Sequence, residues 1–422
     1  MQVLFVHPNF PGQFWHIANY LTQKIGWECI FVTARPEVLT MPPGPVKTLF
    51  YRPEGGASEA THVCSRTFEN AVWSCDAIYK AVKANKNIQP DLIVGHSGFG
   101  TTLFLRELFP RTPVVHLAEL YYHPHGPRSV FDFRADLRWQ TRPEEYQRAR
   151  CFNAMVLLNL QNCELAYCPT RFQHSLFPQE YSAKMRVIFD GIDRYLFHGH
   201  GERLRPPGMP RKIAGVEIGQ NTRVVSYVSR GLESMRGFDI FMRAAKRIAK
   251  EYPDVHFFVV GSDHVSYGND LDHVEGKRSF REWVLSKDQY DLSKFTFTGI
   301  LPHLDLARLL ASTDLHIYLT VPFVLSWSMM DAMSCGAVVL GSATSPVQEI
   351  IRDGKNGLLA NFFDPEDFAT KALAVLRDPA KFRPLGRKAE EMVVSRYSLE
   401  AVMPEMMKMY KDAQSSILSQ GS

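Results

Sequence analysis

The sequence predicts an α/β protein in two domains, each built on a parallel sheet. Short apolar runs alternate with helix-length amphipathic stretches along almost the whole chain, the pattern of strands joined by crossover helices. At 422 residues the chain exceeds one ordinary core and divides naturally into two domains. The clearest unit is Tyr318 to Gly357: an apolar strand that breaks at Pro322, an amphipathic helix from Ser326 to Ser334, a turn at Cys335-Gly336, and the apolar run Ala337 to Leu340. Strand, helix, strand implies a right-handed crossover and parallel pairing. The break leaves a helix N-terminus at the carboxyl end of the first strand, where open α/β sheets bind ligands, so an anion is expected there. Ser326 and Ser328 sit at that helix start and Asp331 projects from its first turns. The same spacing also fits an ordinary buried βαβ unit with Met329, Met330 and Met333 as core.

Composition narrows the class. With 45% hydrophobic and 22% charged residues the chain belongs with globular proteins. A net charge of +4 is too small for a dedicated nucleic-acid binder. The seven cysteines, at 29, 64, 75, 151, 163, 168 and 335, have neither zinc-site spacing nor a disulfide framework, so buried thiols in a reducing compartment are expected. The first residues read as a strand rather than a signal peptide, and no apolar run is long enough to span a bilayer. The expected location is cytoplasmic, with peripheral contact at the inner face of a membrane left open.

From the N-terminus, Val3 to Val6 is a strand, and residues 7–14 form a loop into a helix from Trp15 to Lys24. Gly12 in that loop lets backbone approach a ligand closely. Cys29 to Thr33 is the second strand, Thr40 to Ala57 reads as loop, and Thr61 to Asn85 suits a long helix. Asp91 to Gly95 is a strand ending at His96, followed by a helix from Thr101 to Leu108, and Pro113 to Leu120 repeats the pattern with Glu119 at its end. His96 and Glu119 thus stand at two strand ends facing one crevice, although a lone His after a strand is also satisfied by local backbone. Tyr121 to Arg150 holds His123, His125, Arg128, Arg134, Arg138, Arg142, Arg148 and Arg150, interleaved with aromatic residues. It reads either as a docking surface for an anionic acceptor such as a lipid diphosphate, or as a solvated insertion paired with Glu144 and Glu145. If helical, it sets Arg134 and Arg138 on one face. His123 and His125 lack a third ligand, and no metal site is expected. Leu165 to Thr170 is a strand, Arg171 to Phe177 a helix, and Arg186 to Asp193 leads to a Gly- and Pro-rich bridge, His198-Gly199-His200-Gly201 and Arg205-Pro206-Pro207-Gly208. The division is therefore 1–200 for the first domain and 201–220 for a linker.

The second domain, 221–395, opens with the strand Arg223 to Val228 and the loop Ser229 to Asp239. Arg230 and Arg236, in a Gly- and Ser-containing loop at a strand's carboxyl end, suit a diphosphate clamp. A helix from Phe238 to Tyr252, strands at Val255 to Val260 and Phe295 to Ile300, and helices at Leu304 to Ala311, Pro365 to Leu376 and Pro379 to Arg396 follow. The tail, 396–422, is an amphipathic helix whose stripe of Met403, Met406, Met407 and Tyr410 is core rather than a cofactor box.

Asp331-Ala332-Met333-Ser334-Cys335-Gly336 and Asn356-Gly357-Leu358-Leu359 resemble the donor signature of the family-4 (group 1) retaining glycosyltransferases, which have the GT-B fold. In that signature a Glu precedes a second Glu by eight positions. Here the second is Asp331, and Phe323 stands where the first, which touches the donor sugar, would be. The resemblance implies two Rossmann-like domains facing an interdomain cleft, donor held by the second and acceptor by the first, with the last helix crossing back. It implies a transferase of hexosyltransferase type that moves sugar from a UDP-sugar or GDP-sugar to a hydroxyl of a saccharide or lipid-linked acceptor, in polysaccharide or glycoconjugate synthesis, without cofactor or metal. In this reading Arg230 and Arg236 hold the diphosphate with the helix start at Ser326, Trp327 and Ser328, and the Gly12 loop lies against the diphosphate or the acceptor. Asp331 binds ribose, the Thr298-Gly299-Ile300 turn reads the base through its backbone, and His96 and Glu119 face the acceptor or sugar. Two alternatives stay open: a nucleotide-sugar epimerase or a phosphorylase of the same two-domain shape and, motivated by the lost acid at Phe323, a catalytically silent nucleotide-sugar-binding protein.

Overall fold

Residues 1–199, 211–274 and 276–420 are described by the structure, a computed structural model. Part of the expected linker, 201–210, lies outside the described residues, and with it Arg205-Pro206-Pro207-Gly208 and the end of the His198-Gly199-His200-Gly201 motif. The chain forms two compact units: Met1–Asp132, Thr141–Gly191 and Leu399–Ser422 make one, Phe133–Gln140 and Ile192–Ser398 the other.

The first unit is built on a seven-stranded sheet, β1 (Gln2–Val6), β2 (Glu28–Thr33), β3 (Lys47–Phe50), β4 (Leu92–His96), β5 (Val114–Leu117), β6 (Leu165–Cys168) and β7 (Met185–Val187), in the order β3-β2-β1-β4-β5-β6-β7. Every pairing is parallel, and Val6 lies between Val32 and Gly95. Central strands of such sheets are covered on both faces, which is why Val3 to Val6 is a continuous apolar run and fully buried. β3 falls where the sequence reads as loop. It is a half-exposed edge strand next to Pro42, Pro43 and Gly44, so its residues carry no buried pattern and the breakers dominate. Around the sheet lie α1 (Trp15–Tyr20), α2 (Arg66–Ala84), the single turn α3 (Val130–Phe133), α4 (Pro143–Gln161) and α5 (Arg171–Leu176). The helix expected at 101–108 is a 3₁₀ turn over Leu103–Glu107. Arg134 and Arg138 share no helix face: one follows the α3 turn and the other opens a separate 3₁₀ turn, Arg138–Thr141.

The second unit begins with an antiparallel hairpin, β8 (Arg211–Ile213) and β9 (Val216–Ile218). Its six-stranded parallel sheet comprises β10 (Arg223–Gly231), β11 (Val255–Ser262), β12 (Phe295–Gly299), β13 (Leu315–Tyr318), β14 (Val338–Ser342) and β15 (Leu358–Ala360), ordered β12-β11-β10-β13-β14-β15. Helices α6 (Phe238–Glu251), α7 (Phe280–Ser286), α8 (His303–Ser312), α9 (Trp327–Ser334), α10 (Ser345–Ile350), α11 (Pro365–Arg377) and α12 (Pro379–Met392) cover it. The last helix, α13 (Leu399–Gln420), packs Met403, Met406, Met409, Tyr410 and Ala413 into the core of the first unit. Met409 takes the inner place assigned from sequence to Met407, which lies at the flank of the stripe.

Both sheets reverse their winding once, at β1/β4 and at β10/β13. Loops leaving the carboxyl ends of those neighbouring strands diverge and leave a crevice, the place where a ligand is bound in open α/β sheets. The two arginines of the second unit and the helix start at Ser326 belong to one such point, and His96 to the other.

Candidate functional site

In the second unit β10 runs into a buried loop, then a 3₁₀ turn (Ser234–Arg236) and α6. Gly237 joins turn to helix at φ +62°, where a Cβ would stand 2.8 Å from Leu319 Cβ, so only glycine closes the loop against the end of β13. That closure draws Arg236 inward, to 4% exposure. Its Nη1 donates to Thr320 Oγ1 at 2.7 Å, to Val324 O at 3.0 Å and to Tyr318 Oη at 3.5 Å. Tyr267 and Phe323 present their rings to the guanidinium, centroids 5.0 and 5.7 Å from its carbon. No carboxylate forms an ion pair with Arg236 among the described residues.

A second buried arginine, which reaches the same loop from the Phe133–Gln140 segment, is the internal control. Arg134, 0% exposed, pairs with Asp136 at 2.9 Å and Asp239 at 3.0 Å and donates to Ser234 O. Its charge is neutralised by protein, and its place in the Phe133–Gln140 segment makes it a brace for the loop rather than a docking residue. Trp139 and Gln140 of that segment donate to Asp270, which also accepts from Ser234 N and Oγ.

The helix start expected at Ser326 adjoins Arg236. Tyr318 Oη, which receives the long bond from Arg236, accepts from Ser326 N at 2.8 Å. Ser326 caps α9 by accepting from Ser328 N, and Ser328 Oγ donates to Val228 O on β10, so cap and strand end are tied together. Trp327, half-buried, opens the helix. Asp331, on its inner side, is buried and makes no hydrogen bond through its carboxyl among the described residues. Burial, then the nearby Asp193, push its pKa well above the usual carboxylate range.

Arg230 differs from Arg236: it is exposed at the end of β10. The Thr298-Gly299-Ile300 turn ends the edge strand β12, two places from β10, about 10 Å across the sheet. There Gly299 adopts φ +68°, Thr298 Oγ1 donates to Gly299 O, and Ile300 is exposed.

In the first unit His96 and Glu119 meet. His96 Nδ1 accepts from Gly98 N at 3.1 Å, which leaves the proton on Nε2 to donate to Glu119 Oε2 at 3.2 Å. Gln13 Nε2 donates to the other carboxylate oxygen at 2.9 Å. Burial pulls Glu119 upward, but the His96 and Gln13 hydrogen bonds outweigh it and hold the carboxylate below its ordinary pKa. Gly12, at φ +55°, lies against His7: a Cβ there would meet the His7 Nδ1 at 2.7 Å.

His7 is a residue the sequence reading passed over. Burial first, then His96, push its pKa down to about 3. Nδ1 lies 3.0 Å from both Asn9 N and Asn9 O, and Nε2 is buried with no partner among the described residues. Val6 pairs with Gly95, so His7 and His96 are side by side, ring centroids 5.8 Å apart. Its signal is positional: His7 directly follows β1 as His96 ends β4. Glu233 was also missed. Its Oε2 accepts from Ser266 N and Tyr267 N, which fixes the loop that lays Tyr267 over Arg236, while Oε1 is buried without a partner. Burial pushes its pKa up to about 7.

Comparison with known proteins gives this arrangement a context. Residues 25–197 match the family model described as glycosyl transferase family 4 group, and residues 222–378 the one described as glycosyl transferases group 1. Spore coat protein SA of Bacillus subtilis is 24% identical over 243 residues, 56% of this chain and 61% of that relative's length. Among solved structures, sucrose-phosphate synthase of Thermosynechococcus elongatus superposes over 99% of this chain and all of its own, with TM-score 0.69 and 18% identity. Anabaena HepE, in complex with UDP and glucose, covers 98% of this chain and all of its own, with TM-score 0.66 and 16% identity. These last two likenesses are of fold. Among the described residues, no helix is long and apolar enough to cross a membrane and no group of three His, Cys, Asp or Glu is placed to hold a metal ion.

Proposed function

We propose, for a chain that belongs to the group 1 glycosyltransferases and has their GT-B fold, that it moves a sugar from a nucleoside diphosphate sugar to a hydroxyl acceptor with retention of anomeric configuration. The observation that carries this reading is Arg236. A guanidinium taken out of water without a carboxylate is costly unless an anion joins it, and Arg134 demonstrates that this loop supplies carboxylates where the charge is structural. Arg236 is held in place by neutral acceptors and rings, and it adjoins the start of α9. A diphosphate lodged there gains the charge of Arg236, the positive end of the α9 dipole and, from the solvent side, Arg230. The complex of HepE with UDP and glucose supports a nucleotide-sugar donor on this fold.

The difficult event is departure of the diphosphate as negative charge builds on it, and these groups stabilise that charge. The bond from the anomeric carbon to the phosphate oxygen breaks while the acceptor oxygen attacks the same face. The leaving phosphate oxygen takes the acceptor proton, so nucleoside diphosphate and glycoside are the products. Asp331, without a protein partner, receives the ribose hydroxyls. His96 and Glu119 orient the acceptor or donor sugar, with the unpartnered Nε2 of His7 beside them. Surface polysaccharide or glycoconjugate synthesis is the setting that suits such a transfer.

Incubation with a panel of nucleotide sugars, with and without acceptor extract, tests the reading through release of nucleoside diphosphate. Release that depends on acceptor is expected, and Arg236→Ala should weaken UDP or GDP binding about 10–100-fold, the worth of a buried charge-assisted contact. Donor conversion without acceptor would point to an epimerase. Tight nucleotide binding with no release across the panel would leave a silent binding protein, the reading that Phe323 favours.

A further inference from the structure

The first unit has a second recess beyond the carboxyl ends of β5 and β6, a cavity of about 760 Å³. One wall is the segment that follows Glu119. The second is a single face of α4, where Arg150 and Asn153 are three residues apart. The third is the end of α5. Its charged lining is Arg128 and Arg150, joined by His123 and His174, and no carboxylate lines it. Arg128 Nη1 donates to Ser175 O at 2.9 Å and His123 Nε2 to Leu176 O at 2.8 Å, so the last carbonyls of α5 fix both side chains. Arg150 is exposed, and among the described residues it has no ion pair or hydrogen bond through its side chain. Tyr121 lies 5.6 Å from the His123 ring and 5.9 Å from Phe177, centroid to centroid, which gives the cavity an aromatic wall.

Two guanidiniums without carboxylates, converging on one recess, repel each other until an anion enters, and their planar forks match phosphate oxygens. The rings offer the flat apolar surface against which the C–H face of a sugar packs. The recess is continuous with the His96–Glu119 pair through α5: Gln173 Nε2 donates to Glu119 O at 2.7 Å, and the next residue, His174, lines the cavity. We propose that this cavity binds the phosphate monoester of a phosphorylated saccharide acceptor, with the phosphate between Arg128 and Arg150 and the sugar ring against Tyr121 and Phe177. This rests on the glycosyl-transfer reading and gives its acceptor a chemical class. Of the arginines between 121 and 150, Arg134 is taken by the protein itself, whereas Arg128 and Arg150 keep donors for a ligand.

Calorimetric titration of the full chain with glucose 6-phosphate, glucose, inorganic phosphate and UDP tests it. Glucose 6-phosphate should bind at least about ten-fold more tightly than glucose, and Arg150→Glu should remove that advantage while UDP affinity stays unchanged. Arg150 supports no other residue, so this variant tests charge rather than folding, and unchanged UDP binding reports an intact second unit. His174→Ala should weaken glucose 6-phosphate by a smaller factor. Equal affinity for the sugar and its phosphate, or indifference to Arg150→Glu, overturns the cavity proposal and leaves the donor reading standing. Failure of the wild type to bind UDP, and GDP in a parallel titration, overturns the donor reading instead. Phosphatidylcholine vesicles carrying phosphatidic acid separate a third outcome: Arg150-dependent vesicle binding without glucose 6-phosphate binding would replace the saccharide by a lipid.

Discussion

Arg134 and Arg236 are both buried against the same loop, but Arg134 is ion-paired with Asp136 and Asp239 whereas Arg236, with the Glu233 carboxyl in its neighbourhood, makes no ion pair among the described residues. In sequence the two look alike, and the pairing read there was Arg230 with Arg236. The sequence sets both in one loop but does not reveal the inequality of their burial, which depends on Leu319, Tyr267 and Phe323 arriving from other parts of the chain. Glu233 belongs to the same cluster and carries a pH signature. Its carboxyl has an ordinary value of 4.5 and is pushed up to about 7 in the folded chain by burial, opposed by the Tyr267 and Ser266 amides and Arg236. Below 4.5 both folded and unfolded chains are protonated and the group costs nothing. Between 4.5 and 7 the folded chain keeps a proton the unfolded chain has lost, so stability falls as pH rises, and above 7 the cost levels off at about 3 kcal/mol. Glu233→Gln retains an acceptor for the two amides and cannot ionise. Melting temperatures of variant and wild type should therefore diverge in favour of the variant between pH 5 and pH 8. A gap that is the same at both pH values would mean that Glu233 does not titrate in this window.

At the scale of elements, long periodic helices and buried strands were legible and short edge structure was not. α13 was read from its apolar spacing, and the stripe Leu399, Met403, Met406, Tyr410, Ala413 is what the first unit buries. The displacement of Met407 by Met409 is a matter of one position on a helix whose apolar arc is broad enough to include either. β3 escaped notice because Lys47 to Phe50 is exposed on the edge, and 103–107 closed as 3₁₀ rather than α because no amphipathic length supports it. The packing of α13 is testable through Tyr410, which is fully buried although its hydroxyl has no partner. Tyr410→Phe removes an unsatisfied polar group and should be neutral or stabilising by up to about 1–2 kcal/mol. Tyr410→Ala leaves a cavity in the core of the first unit and should cost about 3–5 kcal/mol. Urea titration reads both, and a destabilised Phe variant would show that the hydroxyl has a partner after all.

Over the whole molecule, two parallel sheets with one winding reversal each gather the candidate site residues into two strand-end clusters, which sequence reasoning could reach only in part. Strand ends could be named from composition, which is why His96, Glu119, Arg236 and Ser326 were all in view. Neighbours across a sheet could not, because the order β2-β1-β4 that sets His7 beside His96 is a tertiary fact. The same limit hid Glu233, whose partners Ser266 and Tyr267 come from the loop after β11. Each cluster should answer to its own ligand. A diphosphate on Arg236 and the start of α9 has to order the loops that converge on it, 229–239, 263–269 and 319–328. At a hundred times its dissociation constant UDP adds about 2.7 kcal/mol against openings that release it. Amide hydrogen exchange with UDP should accordingly slow in those three segments, while glucose 6-phosphate should slow 121–128 and 174–182 in the first unit. Amides deep in β10 and β13 already exchange through rarer, larger openings, so the loops are where a difference is measurable. If UDP leaves 229–239 unprotected, Arg236 is not where the diphosphate binds, and its missing counter-ion must be found elsewhere.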